Sequence, residues 1–485
     1  MAQRTLVVAG ATGFVGRALC RRLLGEFRVI GLTRDDPTRF REPGVLWRRC
    51  DLFSLMQTER AVSGADLACY FVHSMLPSAH LTQGAFQDMD LIMADNFARA
   101  AAGAGVQQIV YLGGLVPDEP DLSPHLASRL EVERTLSSHG VPVTALRAGI
   151  VIGARGASYR MFKRLIERIP IVPCSRWGRS LTQPIALADV LELIRYCLLH
   201  PVPASRACDI GSPDVMSYRE LLGNTARILG LKRIIVDLPI TGVFWCRYWL
   251  HLATGVPLEL VGPLLESMRH SMVARGRGLQ AAAGIPGRTF EQAIRDALAD
   301  DEGGQWVPAR TSAERAVARR RSRRTYLYHV RSVQRLPLPP GRTARWVAEE
   351  YLRFLPQLFR TFLKAETDAE GRVSVRLAFP RVSLLEHALD ADRSGASDRQ
   401  VFYITGGLLA RRLVRRTRRP RVEFREVLGG TAVLAAIHDY RPSLPWPLYN
   451  AIQARLHLWV MRRFARHLQR IAEHSPTGES VDGRR

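Results

Sequence analysis

The stretch VVAGATGFVGRALCRRLL, residues 7–24, constrains the fold of this chain more than any other. Its apolar start predicts a strand and its end predicts a helix, with Gly10, Gly13 and Gly16 between them. Glycines at this spacing permit a tight turn, and the free N–H groups at the helix N-terminus favour an anionic pyrophosphate. A second strand ending in GLTRDD completes a βαβ unit, so the segment predicts a dinucleotide-binding loop.

Apolar strand-like runs alternate with helical segments from residue 5 to about residue 195. The runs are TLVVA, FRVIGLT, VLWRRC, LACYFVH, QQIVYLGG and VTALRAGIVIG. Such alternation is typical of an α/β fold with a Rossmann doubly wound parallel sheet. Farther on, Ser217 and Glu220 have the spacing of a helix capping box. We expect residues 206–300 to complete the substrate side of this first domain.

Length and charge both divide the chain. Its 485 residues exceed the roughly 250–300 that one core supports. Residues 1–300 carry 34 Lys and Arg against 27 Asp and Glu, whereas residues 301–485 carry 35 against 18. We therefore predict an NAD(P)-binding domain over 1–300, a basic linker over 301–324, an α+β domain over 325–472 and a disordered tail over 473–485.

The composition also restricts the partners and the compartment. Only three of the 69 cations are lysines, which indicates an overall bias towards arginine and disfavours nucleic-acid binding. The seven cysteines contain no C-x-x-C pair, so neither zinc nor a disulfide framework is indicated. No cleavable apolar segment precedes the first strand, and a cytoplasmic location is expected. The apolar stretch from residue 238 contains Arg247, His251 and Glu259, which favours a buried or interfacial helix pair.

The second domain has a different pattern. Strand-like runs lie near 325–335, 372–390, 400–409, 420–428 and 431–440, with helices near 343–363 and 446–471. Each helix has apolar residues at spacings of three and four, which predicts one face packed on a curved sheet. These residues are Val347, Tyr351, Phe354, Leu358 and Phe362 in the first helix, and Tyr449, Ile452, Leu456, Trp459 and Leu468 in the last.

Residues 5 to about 300 resemble the atypical and extended short-chain dehydrogenase/reductases. The motifs that carry the resemblance are GATGFVG, CDL, YFVHSM, YLGGL, LRAGIVIG and QPIALADV, in this order. Among these proteins, the NmrA-like and NAD-dependent epimerase-like members are the most similar. The second domain is similar in element order to helix-grip domains of the START or polyketide-cyclase type. The sequence predicts no oligomeric state.

The resemblance implies a set of cofactor contacts. They are Gly10, Thr12, Gly13, Phe14, Val15, Gly16, Arg34, Asp51, Leu52, Val72 and His73. Arg34 suits a 2′-phosphate and favours NADP(H) over NAD(H), although Asp35 or Asp36 could accept from a ribose hydroxyl instead. Asp51 is placed either to accept from an adenine amino group or to lie on the surface.

The family's catalytic residues do not carry over. Active members have a serine after the fifth strand, where this chain has Gly113 and Gly114, and a Tyr-x-x-x-Lys pair in the next helix. Here that helix offers His125 and Arg129 at the same spacing, either for catalysis or as surface residues. The guanidinium disfavours a protonated imidazole, so His125 would be a poor acid.

Two other candidates stand outside that helix. Ser74 follows the fourth strand, at the edge where doubly wound sheets bind ligands, but no base accompanies it. The one Tyr-x-x-x-Lys, Tyr159 to Lys163, follows the sixth strand and is interpreted as part of an ordinary amphipathic helix.

Three functions remain open from the sequence. The first is an NADP(H)-dependent oxidoreductase that acts on an apolar carbonyl or enone delivered by the second domain. The second is a protein that binds NADP(H) without turnover and senses its redox state, as the NmrA-like regulators do. The third is a protein that binds a lipid or another apolar ligand, with the basic linker and final helix near an anionic membrane.

Overall fold

A computed structural model describes most of the chain and divides it into two compact units. The described residues are 3–40, 42–74, 81–174, 176–237, 243–256, 258–302, 330–359, 363–368, 372–379, 382–394, 398–408, 420–440, 442 and 444–474. Unit 1 comprises Met1–Leu76 and Met93–Thr311, and unit 2 comprises Pro77–Ile92 and Ser312–Arg485. Most of the predicted linker and tail lies outside the described residues.

Strands are numbered in chain order. They are β1 (Thr5–Ala9), β2 (Arg28–Thr33), β3 (Val45–Arg49), β4 (Leu67–Tyr70), β5 (Leu81–Gln83), β6 (Gln108–Gly114), β7 (Val143–Ala148), β8 (Val151–Ile152), β9 (Ile171–Cys174), β10 (Leu181–Thr182), β11 (Ile185–Ala186), β12 (Arg206–Ile210), β13 (Met216–Ser217), β14 (Ile234–Asp237), β15 (Val330–Pro337), β16 (Leu363–Thr367), β17 (Arg372–Leu377), β18 (Ser383–Leu389), β19 (Arg399–Gly406), β20 (Arg421–Val427) and β21 (Ala432–Tyr440).

The α-helices are numbered in the same way. They are α1 (Phe14–Arg22), α2 (Leu55–Val62), α3 (Phe86–Gly103), α4 (Pro124–Leu136), α5 (Ala157–Arg168), α6 (Leu187–Leu199), α7 (Tyr218–Ile228), α8 (Val243–Thr254), α9 (Leu258–Ser267), α10 (Gly278–Ala282), α11 (Phe290–Glu302), α12 (Ala344–Leu358), α13 (Trp446–Leu448) and α14 (Ala454–His474).

Unit 1 contains a seven-stranded parallel sheet in the order β12-β7-β6-β4-β1-β2-β3. Its central strands are buried on both faces because helices cover the two sides, which is why they are continuous apolar runs in the sequence. Leu6, Val8 and Cys69 lie in a core shared with Leu19 of α1 and Ile194 of α6. The predicted Rossmann α/β fold is confirmed for this unit.

The apolar stretch after residue 238 forms the helices α8 and α9. Leu250, Val261 and Leu265 are buried in a second core together with Phe162 and Leu165 of α5. Among the residues that the structure describes, no helix is both long enough and apolar enough to cross a membrane.

Unit 2 contains an eight-stranded sheet in the order β16-β17-β18-β19-β20-β21-β15-β5. Neighbouring strands are antiparallel except for β5, which pairs in parallel with β15. The helices α12 and α14 pack on one face, where the Phe464 ring centroid lies 5.1 Å from that of Tyr351 and 5.3 Å from that of Phe354. Leu336 of β15 and Phe424 of β20 complete this core.

Two predictions about unit 2 need correction. β5 was not predicted, and residues 77–92 group with unit 2 although the sequence assigned them to the first domain. The final helical segment buries Tyr449 and Leu468 as predicted, but Ile452, Leu456 and Trp459 are 58%, 46% and 40% exposed.

A π-helical turn over Tyr449–Gln453 explains the second difference. Each π turn adds a residue to the helical repeat and rotates everything after it. The face of α14 that packs on the sheet therefore consists of Val460, Met461, Phe464 and Leu468, while the predicted stripe turns outwards.

Candidate dinucleotide and substrate site

The glycine loop joins β1 to α1 in a conformation that excludes side chains at two positions. Gly10 has φ of 87°, and its carbonyl oxygen accepts a hydrogen bond of 2.8 Å from the Gly13 N–H. A Cβ on Gly10 would lie 2.8 Å from the Phe71 carbonyl oxygen, and one on Gly16 would overlap the Gly10 carbonyl oxygen. Thr12 at the tip is exposed. This backbone cradle fits a pyrophosphate at the N-terminus of α1.

Among the described residues, two of the three charged residues after β2 have hydrogen-bond or ion-pair partners nearby, and Arg34 does not. Asp35 contacts Arg39 at 3.5 Å between Oδ1 and Nη1, and Asp36 accepts hydrogen bonds from both the N–H and the hydroxyl of Thr38. Arg34 is exposed and makes no ion pair with any residue in the described ranges. Both carboxylates thus have partners within their own turn, whereas the guanidinium of Arg34 faces solvent.

The residues after β3 form a local turn. Asp51 accepts a hydrogen bond of 3.3 Å from the Phe53 N–H, and its own N–H donates to Gln57 Oε1 at 3.2 Å. Leu52 is buried, and its carbonyl oxygen accepts a bond of 2.7 Å from Asn96. Asp51 therefore helps to hold the turn that leads into α2, and its contact with adenine stays a prediction.

A cavity of about 780 Å³ begins at the glycine loop and continues into an apolar chamber. At the loop end it is lined by Gly10, Gly13, Phe14, Val15, Gly16, Phe71 and His73. The chamber is lined mainly by apolar side chains of α5, α7, α8 and α9 and by Met268 just after α9. The helical side chains are Met161, Phe162, Leu165, Leu221, Leu222, Cys246, Trp249, Leu250 and Leu265. One space therefore connects the predicted nucleotide site to an apolar compartment.

His125 and Arg129 of α4 both line this cavity, between its two ends. Arg129 Nη1 donates to the Val72 carbonyl oxygen at 3.5 Å, so the guanidinium lies beside the segment that follows β4. The Arg129 carbonyl oxygen accepts a bond of 3.2 Å from the Tyr111 hydroxyl, which anchors α4 on β6. The predicted pair thus faces the cavity rather than the protein surface.

Burial determines the protonation of His125. Burial lowers the pKa of the imidazole to about 3, and the charges of Arg129 and His73 act in the same direction. Its buried Nδ1 has no hydrogen-bond partner in the described part of the chain. His125 is therefore neutral near pH 7 and can offer an N–H group, but it cannot serve as a strong acid.

The positions that carry the family's serine are glycine in this cavity. Gly113 and Gly114 end β6 and both line the space beside Leu126. A Cβ on Gly113 would lie 2.8 Å from a ring carbon of Tyr111, whereas one on Gly114 would make ordinary contacts of 3.6 Å and 3.8 Å. No hydroxyl is available at either position.

The two remaining candidates lie away from the cavity wall. Ser74 is half-buried after β4 and is not among the described residues that line the cavity. Burial raises the pKa of the Tyr159 hydroxyl above its usual range, and Lys163 Nζ pairs with Asp301 at 2.8 Å. A catalytic dyad needs a lowered tyrosine pKa, so this geometry supports the interpretation of an ordinary helix.

Sequence reasoning missed most of the chamber. Tyr218, Trp249 and Ser267 line the cavity, yet each lies in a helix whose apolar residues also predict a simple core. The useful signal was the excess of apolar residues after residue 238, which exceeds what a single packed face needs. Only the tertiary arrangement shows that part of this surface borders a cavity.

The parallel sheet and the glycine loop together define a Rossmann domain with an NAD(P)-binding, oxidoreductase-like fold. Residues 6–206 match the model of the NAD dependent epimerase/dehydratase family. This part of unit 1 is therefore similar to the NAD dependent epimerase/dehydratase family.

Similar proteins include the auxiliary protein GraX of Staphylococcus aureus, which is 29% identical over 139 residues, or 28% of this chain and 42% of GraX. The ceramide reductase of Caulobacter vibrioides is 26% identical over 250 residues, or 50% of this chain and 76% of that protein. Among solved structures, the NADPH-dependent quinone oxidoreductase QOR2 of Escherichia coli, in complex with NADPH, matches with 16% identity and a TM-score of 0.49. That match covers 61% of this chain and 100% of QOR2.

Proposed function

We propose that unit 1 is an NADPH-dependent reductase that acts on a carbonyl group of an apolar substrate. The observation that carries this proposal is the continuous cavity of about 780 Å³ from the glycine loop to the apolar chamber. A nucleotide on the loop and an apolar molecule in the chamber would meet in one continuous space. Small-molecule sites combine such apolar walls with a few polar groups that orient the ligand.

The cofactor fits the residues at the loop end. The backbone cradle of Gly10, Gly13 and Gly16 suits the pyrophosphate, and the exposed Arg34 suits a 2′-phosphate because Asp35 and Asp36 already have partners. We propose that the other cofactor contacts come from three places. They are the loop and α1 (Thr12, Phe14 and Val15), the residues after β3 (Asp51 and Leu52) and the residues after β4 (Val72 and His73). When bound, NADPH would supply a hydride for the substrate carbonyl carbon, and solvent water would supply the proton that completes the alcohol.

The residues at the middle of the cavity would stabilise the oxygen that gains negative charge. Arg129 brings a permanent cation, and its side chain is held beside the Val72 carbonyl. His125 brings a neutral N–H donor, because burial lowers its pKa to about 3. Preorganised donors of this kind supply a large part of catalytic acceleration in water-excluded sites.

The substrate class follows from the chamber. Its walls offer aromatic and aliphatic side chains such as Phe162, Trp249 and Leu265, with few groups that could recognise a sugar. The relative named ceramide reductase acts, by its name, on a lipid, which supports a long-chain substrate. We therefore propose an aldehyde, ketone or enone with a long hydrocarbon chain.

The structure of unit 2 supports a helix-grip fold as a further part of the proposal. The helix α12 follows β15, and the long α14 comes after the last strand, β21. Both helices pack on the same face of the antiparallel sheet. Between these helices and the sheet, Tyr351, Phe354, Phe424 and Phe464 pack together in one core. The apolar compartment for the substrate is therefore assigned to unit 1 and not to the second domain.

A second function is favoured by one specific observation, the glycines at positions 113 and 114. Without the family's serine and tyrosine, the domain could bind NADP(H) without turnover and act as a sensor of the cofactor's redox state. Retained cofactor binding without substrate reduction would identify this case.

The proposal is tested by calorimetric titration with NADPH, NADP⁺, NADH and NAD⁺, followed by NADPH-oxidation assays with long-chain and short-chain aldehydes and ketones. We expect NADPH to bind more tightly than NADH, and Arg34→Ala to remove at least about tenfold of that preference, as loss of a charge-assisted hydrogen bond implies. The control is Arg28→Ala, at the exposed opposite end of β2. Reduction of long-chain carbonyls supports the reductase, and tight binding with no oxidation supports the sensor.

A further inference from the structure

Among the described residues of unit 2, seven of the exposed apolar side chains form a group that we call the apolar rim. The exposed fractions are 92% for Phe379, 36% for Val382, 61% for Leu408, 50% for Leu448, 58% for Ile452, 46% for Leu456 and 40% for Trp459. Single exposed apolar residues are ordinary, but a group of them on one surface marks an interaction site.

Strand pairing places the apolar rim at one end of the sheet. β17 ends and β18 begins at the end of the sheet where β19 ends, β20 begins and β21 ends. Phe379 and Val382 lie in the connection after β17, and Leu408 follows β19. Leu448 and Ile452 follow β21, immediately before α14. Connections from three different parts of the sequence thus present apolar side chains at the same end.

The helix that carries part of the rim is strongly basic. Between Asp439 and Glu473 the chain contains six arginines and no acidic residue. Five of these arginines belong to α14, and Arg462, Arg463, Arg466 and Arg470 are exposed. The Arg463 guanidinium lies 5.4 Å from the ring centroid of Trp459, so charge and apolar surface adjoin.

We propose that this end of unit 2 docks on an anionic lipid bilayer. An amphipathic helix with exposed Ile, Leu and Trp on one side and arginines beside them lies in the interface of a membrane, with its apolar side chains among the acyl chains. Arginine heads contact lipid phosphates while Trp459 sits at the headgroup level, where its amphipathic ring is favoured. The exposed tip at Phe379 adds an apolar anchor from the sheet. The assignment does not depend on the proposed reductase activity.

Charge complementarity favours an anionic lipid bilayer as the partner of this end of unit 2. The segment between Asp439 and Glu473 has six arginines and no acidic residue, so it matches a uniformly negative surface. Protein partners present a mixture of both charges, which it matches less well. Nucleic acid is also negative, but it gives no role to aliphatic side chains such as Ile452 and Leu456. The apolar rim and the charge together fit a lipid surface.

The test is flotation of the full chain with vesicles of phosphatidylcholine alone or with phosphatidylglycerol added. We expect flotation with the anionic vesicles and little with the neutral ones. The double variant Ile452→Ser/Leu456→Ser should lose at least about tenfold in partition coefficient, because two aliphatic side chains would no longer transfer from water into the acyl chains. The matched control is Leu389→Ser, which is also 46% exposed but lies at the opposite end of β18.

The charge is tested separately. Arg462→Gln and Arg466→Gln should each lower binding to anionic vesicles about fivefold, as expected for one arginine near a charged membrane. Arg345→Gln, whose side chain is 70% exposed at the start of α12, should leave binding unchanged. Circular dichroism and melting curves establish that each variant is folded.

Three outcomes would overturn the proposal. They are equal binding to neutral and anionic vesicles, no binding to either, and binding to a DNA duplex that Ile452→Ser/Leu456→Ser leaves unchanged. A loss of self-association in light scattering, without any vesicle binding, would assign the apolar rim to contact between copies of the chain instead.

Discussion

The loop end and the middle of the cavity in unit 1 differ in how closely they follow the family pattern. At the loop end, Gly10, Gly13 and Gly16 stand where backbone geometry requires glycine. In the middle, the resemblance places Gly113 and Gly114 where the family has its serine, and His125 and Arg129 where it has its tyrosine and lysine. We therefore expect substitutions in the glycine loop to change nucleotide binding and substitutions in the middle of the cavity to change the proposed reaction.

At the loop end, Gly16→Ala is expected to give the largest loss of nucleotide binding. The added Cβ would overlap the Gly10 carbonyl oxygen and lie 2.8 Å from its carbonyl carbon, so the backbone must shift. Overpacking of this kind costs about 1–3 kcal/mol, and the displaced loop should bind NADPH at least about tenfold more weakly in calorimetry.

The matched control is Gly103→Ala, near the end of α3, where the added Cβ meets no atom within 4 Å. It should leave binding unchanged and stabilise the helix slightly. Equal NADPH affinity for Gly16→Ala and wild type would refute the role assigned to the loop.

Arg129→Met should distinguish an effect on the proposed reaction from an effect on nucleotide binding. The substitution keeps the length of the side chain but removes the cation that faces the cavity. We expect kcat to fall by about 100-fold to 1000-fold, as when an oxyanion donor is removed, while the Kd for NADPH changes less than threefold. Arg134→Met, at an exposed position of the same helix, serves as the control. A parallel loss of NADPH affinity would mean that Arg129 holds the cofactor instead.

The buried His125 should make the free energy of unfolding depend on pH. Its pKa is about 3 in the folded state, below the ordinary 6.5, so the unfolded chain binds the extra proton between these values. Stability contributed by the neutral histidine is therefore present above about pH 6.5 and is lost as the pH falls towards 3. Between pH 7 and pH 5, the free energy of unfolding of the wild type should fall by about 2 kcal/mol more than that of His125→Gln, as measured by urea unfolding.

The control for this measurement is His200→Gln, at an exposed position after α6. It should follow the wild-type curve. A wild-type rate of carbonyl reduction that changes with a histidine-like inflection between pH 5 and 8, absent from His125→Gln, would contradict a neutral His125.

The smallest effect is expected from Gly114→Ser. Its Cβ would make ordinary contacts with Leu126 and Arg129, so we expect the free energy of unfolding to change by less than about 1 kcal/mol. Gly113→Ala places its Cβ 2.8 Å from the buried Tyr111 ring and should cost about 1–3 kcal/mol. Equal melting temperatures for the two variants would show that the end of β6 is less rigid than its packing indicates.

Local patterns predicted much of the fold. The strand, glycine loop and helix near residue 10 were predictable because each depends on neighbouring residues, and the capping box of Ser217 and Glu220 is confirmed. β5 was not predictable, because Leu81–Gln83 pairs with a strand some 250 residues later and has no local signal. The outward stripe of α14 was missed because a single π turn shifts the helical repeat.

The candidate site divides in the same way. The glycine loop is recognisable from its spacing, and His125 and Arg129 were found by comparison with the family's helix. The chamber was not, because apolar residues such as Trp249 and Leu265 have the same pattern whether they fill a core or line a cavity. Their role depends on how α5, α7, α8 and α9 are arranged.

The most direct test of a reductase with this divided cavity is a single-turnover reaction of the protein with deuterium-labelled NADPH and a long-chain aldehyde. Mass spectrometry would follow deuterium in the alcohol product for wild type and Arg129→Met. The account predicts deuterated alcohol from the wild type and at least about 100-fold slower formation with the variant. NADPH that stays bound and unoxidised with every long-chain carbonyl would contradict it.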